Sequence, residues 1–242
     1  LVSELYRGVK STKSWVKVGV SPFGIWRPGY PRGIEAELDA YDELAADARK
    51  WMHAGWLDYC TPQLYWPIDQ APQSYTALLR WWAGENKKGR HLWPGMASAR
   101  IGGDRRADEI LRQIDVARRT RGVTGHVHWN MKALMTNKGG IANAVQRQTY
   151  TTLALVPGSP WLRGDRVRPP KLYVRGREIS WPRASANVRF WVVQAKVGQQ
   201  WRTHVLPGVA ASWKAPDGTQ SVGVSALTRA GYQSAPATLI LR

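Results

Sequence analysis

The chain has 242 residues, with 35 Lys plus Arg against 17 Asp plus Glu, and a formal net charge of +18. Apolar residues make up 43% of it, which is enough to bury a core and excludes a disordered or collagen-like chain. No apolar run reaches the roughly 18 to 20 residues that a transmembrane helix needs. The single cysteine, Cys60, cannot form an internal disulfide, and its place in an apolar strand favours an inert, buried role.

Positive charge is scattered along the chain. Residues 1–155 carry a net charge of +8 and residues 156–242 a net charge of +10, and no Lys/Arg run is longer than two residues. This distribution favours a generally basic surface over a nucleic-acid site. Nucleic-acid binding through the basic C-terminal part is the weakest alternative, and an anionic surface or polymer stays open as a partner.

Apolar strands and amphipathic helices alternate over residues 1–155. Such alternation predicts parallel βαβ units and an α/β fold, here with four units behind a short helix. The helix over 35–53 is predicted from apolar residues spaced by three and four. In chain order the predicted elements are a helix near 2–10, strand 16–20, helix 35–53, strand 57–65, helix 72–86, strand 91–93, helix 105–120, strand 125–130 and helix 140–148.

The pattern changes from about residue 156. Residues 156–165 have the Pro, Gly and Ser content of a linker, and residues 166–242 contain short β segments separated by turn residues. About 80 residues of this kind predict a small antiparallel β-sandwich domain. Its four tryptophans are expected to fill its core or an interface, with an exposed sugar platform as the alternative; they are Trp181, Trp191, Trp201 and Trp213.

Two motifs connect the first part to a known family. The segment SPFGIWR at 21–27, followed by TPQLYW at 61–66, resembles glycosyl hydrolase-like family 10, whose members are (β/α)8 TIM-barrel proteins of bacterial cell envelopes. The segment GHVHW at 125–129 matches the family's last barrel strand more loosely. The resemblance covers residues 1–155, and the module behind it is similar to a fibronectin type III domain.

The resemblance implies that this chain holds only the last four βα units of the barrel. The family's first four units include an acidic stretch that is the usual place for a catalytic acid. Because the chain opens at Leu1 without a signal sequence, we expect a mature product or a fragment. Half a barrel has open edges, so we expect self-association or a missing N-terminal half to close it. The implied location is secreted, periplasmic or envelope-attached.

Reactive groups in barrel enzymes lie where strands end and βα loops begin. Aromatic faces stack on pyranose rings, while amides, imidazoles and guanidinium groups bond to hydroxyls, so the mixture at these strand ends favours a sugar. The candidate substrate-binding residues are Ser21, Phe23, Trp26, Arg27, Gln63, Tyr65, Trp66, His126, His128, Trp129 and Asn130.

Carboxylates are scarce at these strand ends. Glycoside hydrolysis normally needs two carboxyl groups, and Asp69, just after a strand, is the one acid that we predict to be catalytic. Its alternative role is to start the next helix. Asp58, at the start of its strand, is expected to be structural. Ten acids on or beside helices are interpreted as solvated: Glu35, Glu37, Asp39, Asp42, Glu43, Asp47, Glu85, Asp108, Glu109 and Asp115.

The pair His126 and His128 puts two imidazoles on one strand face, a spacing that zinc sites also use. No third ligand of matching placement is evident in the sequence, so a hydrogen bond to sugar or a buried structural role is favoured over zinc. We predict no metal and no cofactor.

These observations support two hypotheses. The first is a glycoside hydrolase-like protein acting on a cell-envelope glycan by carboxylate general acid/base catalysis, with part of its site in the missing half. The resemblance implies peptidoglycan glycan strands as its substrate. The alternative is a carbohydrate-binding or scaffolding protein without turnover, which the shortage of well-placed carboxylates favours.

Overall fold

A computed structural model describes residues 1–162, 167–183 and 187–241. The chain divides into two compact units, residues 1–151 and 152–242. The linker predicted for 156–165 falls at the start of the second unit, and its residues 163–165 lie outside the described residues. Within the described ranges, no helix has both the length and the apolar character to cross a bilayer.

The first unit alternates helices with short strands, which confirms the predicted α/β fold. The helices are α1 (Val2–Thr12), α2 (Ala48–Ala54), α3 (Tyr75–Glu85), α4 (Ala107–Arg119), α5 (Met131–Met135) and α6 (Ile141–Ala144), which a π-helical turn over Val145–Thr149 follows. The strands are β1 (Gly19–Val20), β2 (Tyr59–Cys60), β3 (His91–Leu92), β4 (Gly95–Met96) and β5 (Val127–His128).

All strand pairs of this unit are parallel. Strand β2 lies between β1 and β3, and β4 pairs with β5. Gln63 extends the pairing beyond β2, because it bridges to Phe23 on one side and to Gly95 on the other. In a parallel array the carboxyl ends of all strands reach the same edge. The loops that follow β1, β2, β4 and β5 therefore start from one edge.

One face of these strands packs against the helices. Val20, Cys60 and Leu92 join a cluster whose helical members include Met52 and Trp82. The Trp82 indole N–H donates to the carbonyl of Gly24 over 2.8 Å, which satisfies the only polar group that this buried ring carries. Burial raises the pKa of the Cys60 thiol well above its usual range, consistent with an inert side chain.

The helix predicted over 35–53 is wrong for residues 35–47, since only Ala48–Ala54 is helical. Asp39 Oδ1 accepts hydrogen bonds from the backbone N–H groups of Tyr41 and Asp42 at 3.1 and 3.2 Å. Such bonds offer the backbone a turn instead of a helix. Asp47 then caps α2 by accepting a hydrogen bond from Lys50 N at 3.0 Å. The apolar residues over 35–47 thus have helical spacing but lie in a turn and loop that polar side chains stabilise.

The interpretation of Glu109 as a solvated residue is also wrong. Only 6% of it is exposed, and its Oε1 accepts hydrogen bonds from Ile68 N at 2.8 Å and from Gln113 Nε2 at 2.9 Å. Its Oε2 pairs with Arg112. Glu109 thus connects α4 to the loop that follows β2, and a buried carboxylate needs such partners to offset its lost hydration.

The second unit is an antiparallel β-sandwich. Its strands are β6 (Tyr173–Arg175), β7 (Glu178–Ser180), β8 (Val188–Val197), β9 (Gln200–Pro207), β10 (Ser212–Lys214), β11 (Thr219–Thr228) and β12 (Ala237–Ile240). They form a three-stranded sheet in the order β10-β7-β6 and a four-stranded sheet in the order β12-β11-β8-β9.

The sandwich core joins residues of both sheets. Ile179 of β7 packs with Val193 of β8 and with other apolar residues of β8 and β11. Trp181 and Trp191 are buried as expected, and Trp213 packs against this core. Trp201 does not fill this core, because 52% of it is exposed, and the interface and sugar-platform alternatives stay open for it.

The buried role of Glu109 predicts a stability difference along one helix. Glu109→Ala leaves Ile68 N–H without its acceptor and removes one of the two acceptors of the Gln113 amide, which lowers the free energy of unfolding by about 1 to 3 kcal/mol. Asp115→Ala, which removes an exposed ion pair from the same helix, changes it by less than about 0.5 kcal/mol. Urea denaturation of the full chain measures both, and equal effects would contradict the assignment.

Candidate functional site

Five residues lie at or just after the carboxyl ends of β2, β4 and β5, and we call them the strand-end cluster: Gln63, Tyr65, Ser98, His128 and Trp129. The Tyr65 and Trp129 rings lie 6.5 Å apart between centroids with an interplanar angle of 31°. Ser98 Oγ and His128 Nδ1 form a hydrogen bond of 2.7 Å. Gln63 Nε2 donates to the carbonyl of Ser21 at 3.0 Å, which leaves the amide oxygen of Gln63 for other partners.

A second imidazole adjoins the cluster. The His126 and His128 rings lie edge to face, 5.1 Å apart, and His126 Nε2 forms a 3.2 Å hydrogen bond with the Tyr150 hydroxyl. Burial, the neighbouring His128 and Arg118 lower the pKa of His126 to about 3, and burial also lowers the pKa of His128. Both rings are therefore neutral at pH 7, so each offers one donor and one acceptor.

Backbone contacts hold the loops that carry the cluster. Gly95 lies so close to Tyr65 that an added Cβ would be 3.3 Å from the tyrosine ring. Arg105 Nη2 donates to the carbonyl of Tyr65 at 3.2 Å, and Ala99 N donates to the carbonyl of Trp129 at 2.7 Å. The loop after β4 therefore contacts both aromatic residues and fixes the spacing between them.

Trp26 and Arg27 belong to a different group of contacts. Trp26 is 9% exposed, its ring stacks on Trp81 of α3 with 5.9 Å between centroids, and its indole donates to Asp47 at 3.2 Å. Arg27 pairs with Asp39 at 3.0 Å and with Asp42 at 2.7 Å. These two residues stabilise the loop before α2, and their contacts show no link to Tyr65 or Trp129.

Phe23 and Trp66 form a third location. Their rings lie edge to face with 5.7 Å between centroids, and with residues 35–38 they line a cleft of about 300 Å³. Ser21 is exposed. Asn130 lies directly before α5 without capping it through its side chain. The structure thus divides the predicted set of sugar-binding residues among separate places.

Asp69 lies in the loop after β2, where the sequence placed it. It is exposed and forms an ion pair of 3.6 Å with Arg112. The sequence did not single out a second acid, Asp104, which lies in the loop after β4, where its Oδ1 accepts from Arg100 Nε at 2.9 Å. Its position after Gly102 and Gly103 in a βα loop was the available signal. Tyr150, the partner of His126, lacked any motif.

The strand-end cluster can bind a neutral, hydroxyl-rich ring. Two aromatic faces offer stacking surface, while neutral imidazoles and an amide oxygen can exchange hydrogen bonds with hydroxyl groups. In the described part of the chain, no three His, Cys, Asp or Glu residues are grouped as a metal site would require. Among the described residues, the side-chain hydrogen bonds of the cluster also reach no carboxylate.

A parallel α/β unit with aromatic and polar side chains at its carboxyl edge, followed by a β-sandwich, defines the class as a two-unit α/β protein with a candidate ligand site at the strand ends. Residues 1–111 match the model of the family Glycosyl hydrolase-like 10. This match over the first part of the chain confirms the resemblance read from the two motifs.

Two curated relatives match this chain, one over 182 residues and the other over 106 residues. The chain is 36% identical over 182 residues to glycosyl hydrolase YngK of Bacillus subtilis, a match that covers 71% of this chain and 36% of YngK. It is 40% identical over 106 residues to glycosyl hydrolase DigH of Escherichia coli, covering 42% of this chain and 24% of DigH. The matched region is thus only about a third of the length of YngK and about a quarter of the length of DigH.

A solved structure, the spore cortex lytic enzyme SleM of Clostridium perfringens, aligns with 76% of this chain and 78% of its own. Its sequence identity is 13% and its TM-score 0.27. A score of this size does not establish a common fold.

The lowered pKa of His126 predicts acid sensitivity. Unfolding frees the ring to take up a proton below its ordinary pKa of 6.5, whereas the folded ring stays neutral to about pH 3. The unfolded state thus binds more protons in this window, and stability falls with decreasing pH by up to about 1.4 kcal/mol per unit for this residue. His126→Gln removes this contribution, so its unfolding free energy varies less between pH 6 and 4. An unchanged slope would contradict the assignment.

Proposed function

We propose that this chain supplies the sugar-binding half of the active site of a cell-envelope glycoside hydrolase that acts on peptidoglycan glycan strands. The observation that carries the proposal is the pair of Tyr65 and Trp129 rings, 6.5 Å apart, in a strand-end cluster whose other members include the Gln63 amide and the His128 imidazole. The family match of residues 1–111 supports a glycosyl hydrolase-like activity for the whole protein. The envelope location follows from the proposed substrate.

The cluster fits an uncharged sugar better than an ionic substrate. Trp129 is 59% exposed, so its ring is free to stack on a pyranose, and the adjacent Tyr65 widens that surface. His128 uses Nδ1 for Ser98, and its Nε2 has no hydrogen bond to the described residues. Since the lowered pKa keeps this imidazole neutral, Nε2 can pair with a sugar hydroxyl without the cost of burying a charge.

Catalysis in this proposal uses a pair of carboxyl groups. One acts as general acid toward the leaving oxygen, and the other acts as base or nucleophile on the opposite side of the scissile bond. Asp69 is the candidate from this chain. We assign the other carboxyl group to βα units beyond these residues, because the strand-end cluster itself pairs with no carboxylate in the described part of the chain.

A complete (β/α)8 barrel is part of the same proposal. Among the described residues β1 pairs only with β2 and β5 only with β4, so both outer edges of the parallel array lack a neighbour. Either an N-terminal half or a second copy of this chain would pair these edges. The three- and four-stranded sheets of the second unit support the assignment of that unit as a fibronectin type III-like module.

The second candidate is a carbohydrate-binding protein of the envelope without turnover. The exposed ion pair of Asp69 with Arg112 favours it, because this pair occupies the one acid that the sequence places at a strand end. Release of reducing ends from a glycan separates the two functions.

Replacing the aromatic rings tests sugar binding. Trp129→Ala and Tyr65→Ala each remove a stacking face worth about 1 kcal/mol or more, so we expect at least about fivefold weaker binding of denuded glycan strands. Trp201→Ala, a matched change of an exposed tryptophan in the sandwich, leaves the Kd unchanged. Calorimetric titration measures all three. Loss of binding in Trp201→Ala alone would place the sugar on the sandwich instead.

Replacing two loop acids tests the chemistry in the complete gene product. Asp69→Asn removes a proton-transferring group, so hydrolysis of denuded glycan strands falls at least about 100-fold while binding persists. Asp104→Asn, which changes the other acid of these loops, retains most of the rate. Full activity of Asp69→Asn would remove Asp69 from the chemistry. Binding without any hydrolysis by the unmodified protein would support the second candidate.

A further inference from the structure

A cleft of about 880 Å³ lies between α3 and α4, near the ends of both helices. Its lining includes four cations, Arg80, Lys87, Arg119 and Arg121, but one acid, Asp115. Asp115 already pairs with Arg119 at 3.0 Å. The other three cations are exposed and have no ion pair with the described residues. The cleft thus gathers positive charge that the protein itself does not neutralise.

This cleft lies at the sheet edge opposite the strand-end cluster. Lys87 follows α3 and precedes β3, and Arg121 follows α4 and precedes Val123, which pairs with Leu92 of β3. Helices of parallel βαβ units run antiparallel to their strands, so the C-terminal ends of α3 and α4 lie at the amino edge of the strands. A ligand here would leave the carboxyl edge open.

We propose that the cleft binds a flexible phosphate polymer of the polyol phosphate type. Like charges that share a cleft repel one another, and an anion relieves that repulsion while it gains attraction to each cation. Guanidinium groups match phosphate oxygens with two parallel hydrogen bonds, and the ammonium of Lys87 adds a third charge. A chain with one charge per repeat can pair with several cations of the lining at once.

The lining also argues against two other polyanions. It contains no aromatic side chain, so single-stranded nucleic acid would find no surface for base stacking. It includes none of the exposed large apolar residues that a membrane-inserting surface needs. The proposal does not depend on the glycan site, and the two can fail separately.

The test titrates synthetic poly(glycerol phosphate) into the full chain at several salt concentrations. The cleft variant combines Arg80→Gln, Lys87→Gln and Arg121→Gln, and we expect its binding to be at least about tenfold weaker. Its slope of log K against log salt should flatten by about 2, since each neutralised phosphate contributes about 0.7 for a single chain. The conservative variant with Arg80→Lys and Arg121→Lys keeps the charge and stays within about threefold of the unmodified protein.

The matched control removes the same three charges elsewhere, from exposed residues of the same unit: Arg7→Gln, Lys13→Gln and Arg32→Gln. It should bind within about twofold of the unmodified protein. Equal losses in both triple variants would show diffuse charge attraction and overturn the proposal, as would no binding at low salt. Tighter, cleft-dependent binding of duplex DNA or of vesicles with anionic lipid would also overturn it in favour of that partner.

Discussion

The parallel pairing around Gln63 is the constraint on which the candidate site depends. Gln63 bridges to Phe23 and to Gly95, and Leu64 N donates to the carbonyl of Gly95 at 3.1 Å. This pairing aligns the ends of neighbouring strands, so residues far apart in the sequence leave the sheet at one edge. Tyr65 and Trp129 approach each other only because β4 pairs with β2 through Gln63 and with β5 on its other side. A shift of one residue would turn these side chains to the opposite face.

The sequence predicted several of the elements in which one face of a segment meets the core. Helix α4 is an example, because its buried residues Ile110, Ile114 and Ala117 follow helical spacing. The same spacing failed over 35–47, where the Asp39 carboxylate bonds to two backbone N–H groups and forms a turn. Periodicity shows which residues are apolar. It does not show whether a polar side chain, such as that of Asp39, bonds to backbone N–H groups and so replaces a helix with a turn.

The site was predictable in its residue types but not in its grouping. The sequence predicted that Tyr65, His128 and Trp129 lie at strand ends, and the structure has them there, since the position of a residue after a strand is visible in the sequence. Trp26 satisfied the same rule, yet its ring packs on Trp81, because the loop after β1 folds back over α3. The helical pattern around Glu109 predicted a solvent-exposed side chain, yet Glu109 is buried and accepts a hydrogen bond from Ile68 N. Both outcomes depend on tertiary contacts that spacing does not encode.

The two edges of the strands carry different chemistry. Neutral imidazoles, an amide and aromatic rings lie at the carboxyl edge, and unpaired cations lie at the amino edge.

A crystal structure of the chain with a fragment of a denuded glycan strand tests the central claim most directly. The account predicts a pyranose ring against the Trp129 indole, with a sugar hydroxyl about 2.7 to 3.2 Å from His128 Nε2 or from the Gln63 amide oxygen. A fragment bound at Trp201, or in the cleft beside Phe23 and Trp66, with Tyr65 and Trp129 untouched, would contradict it.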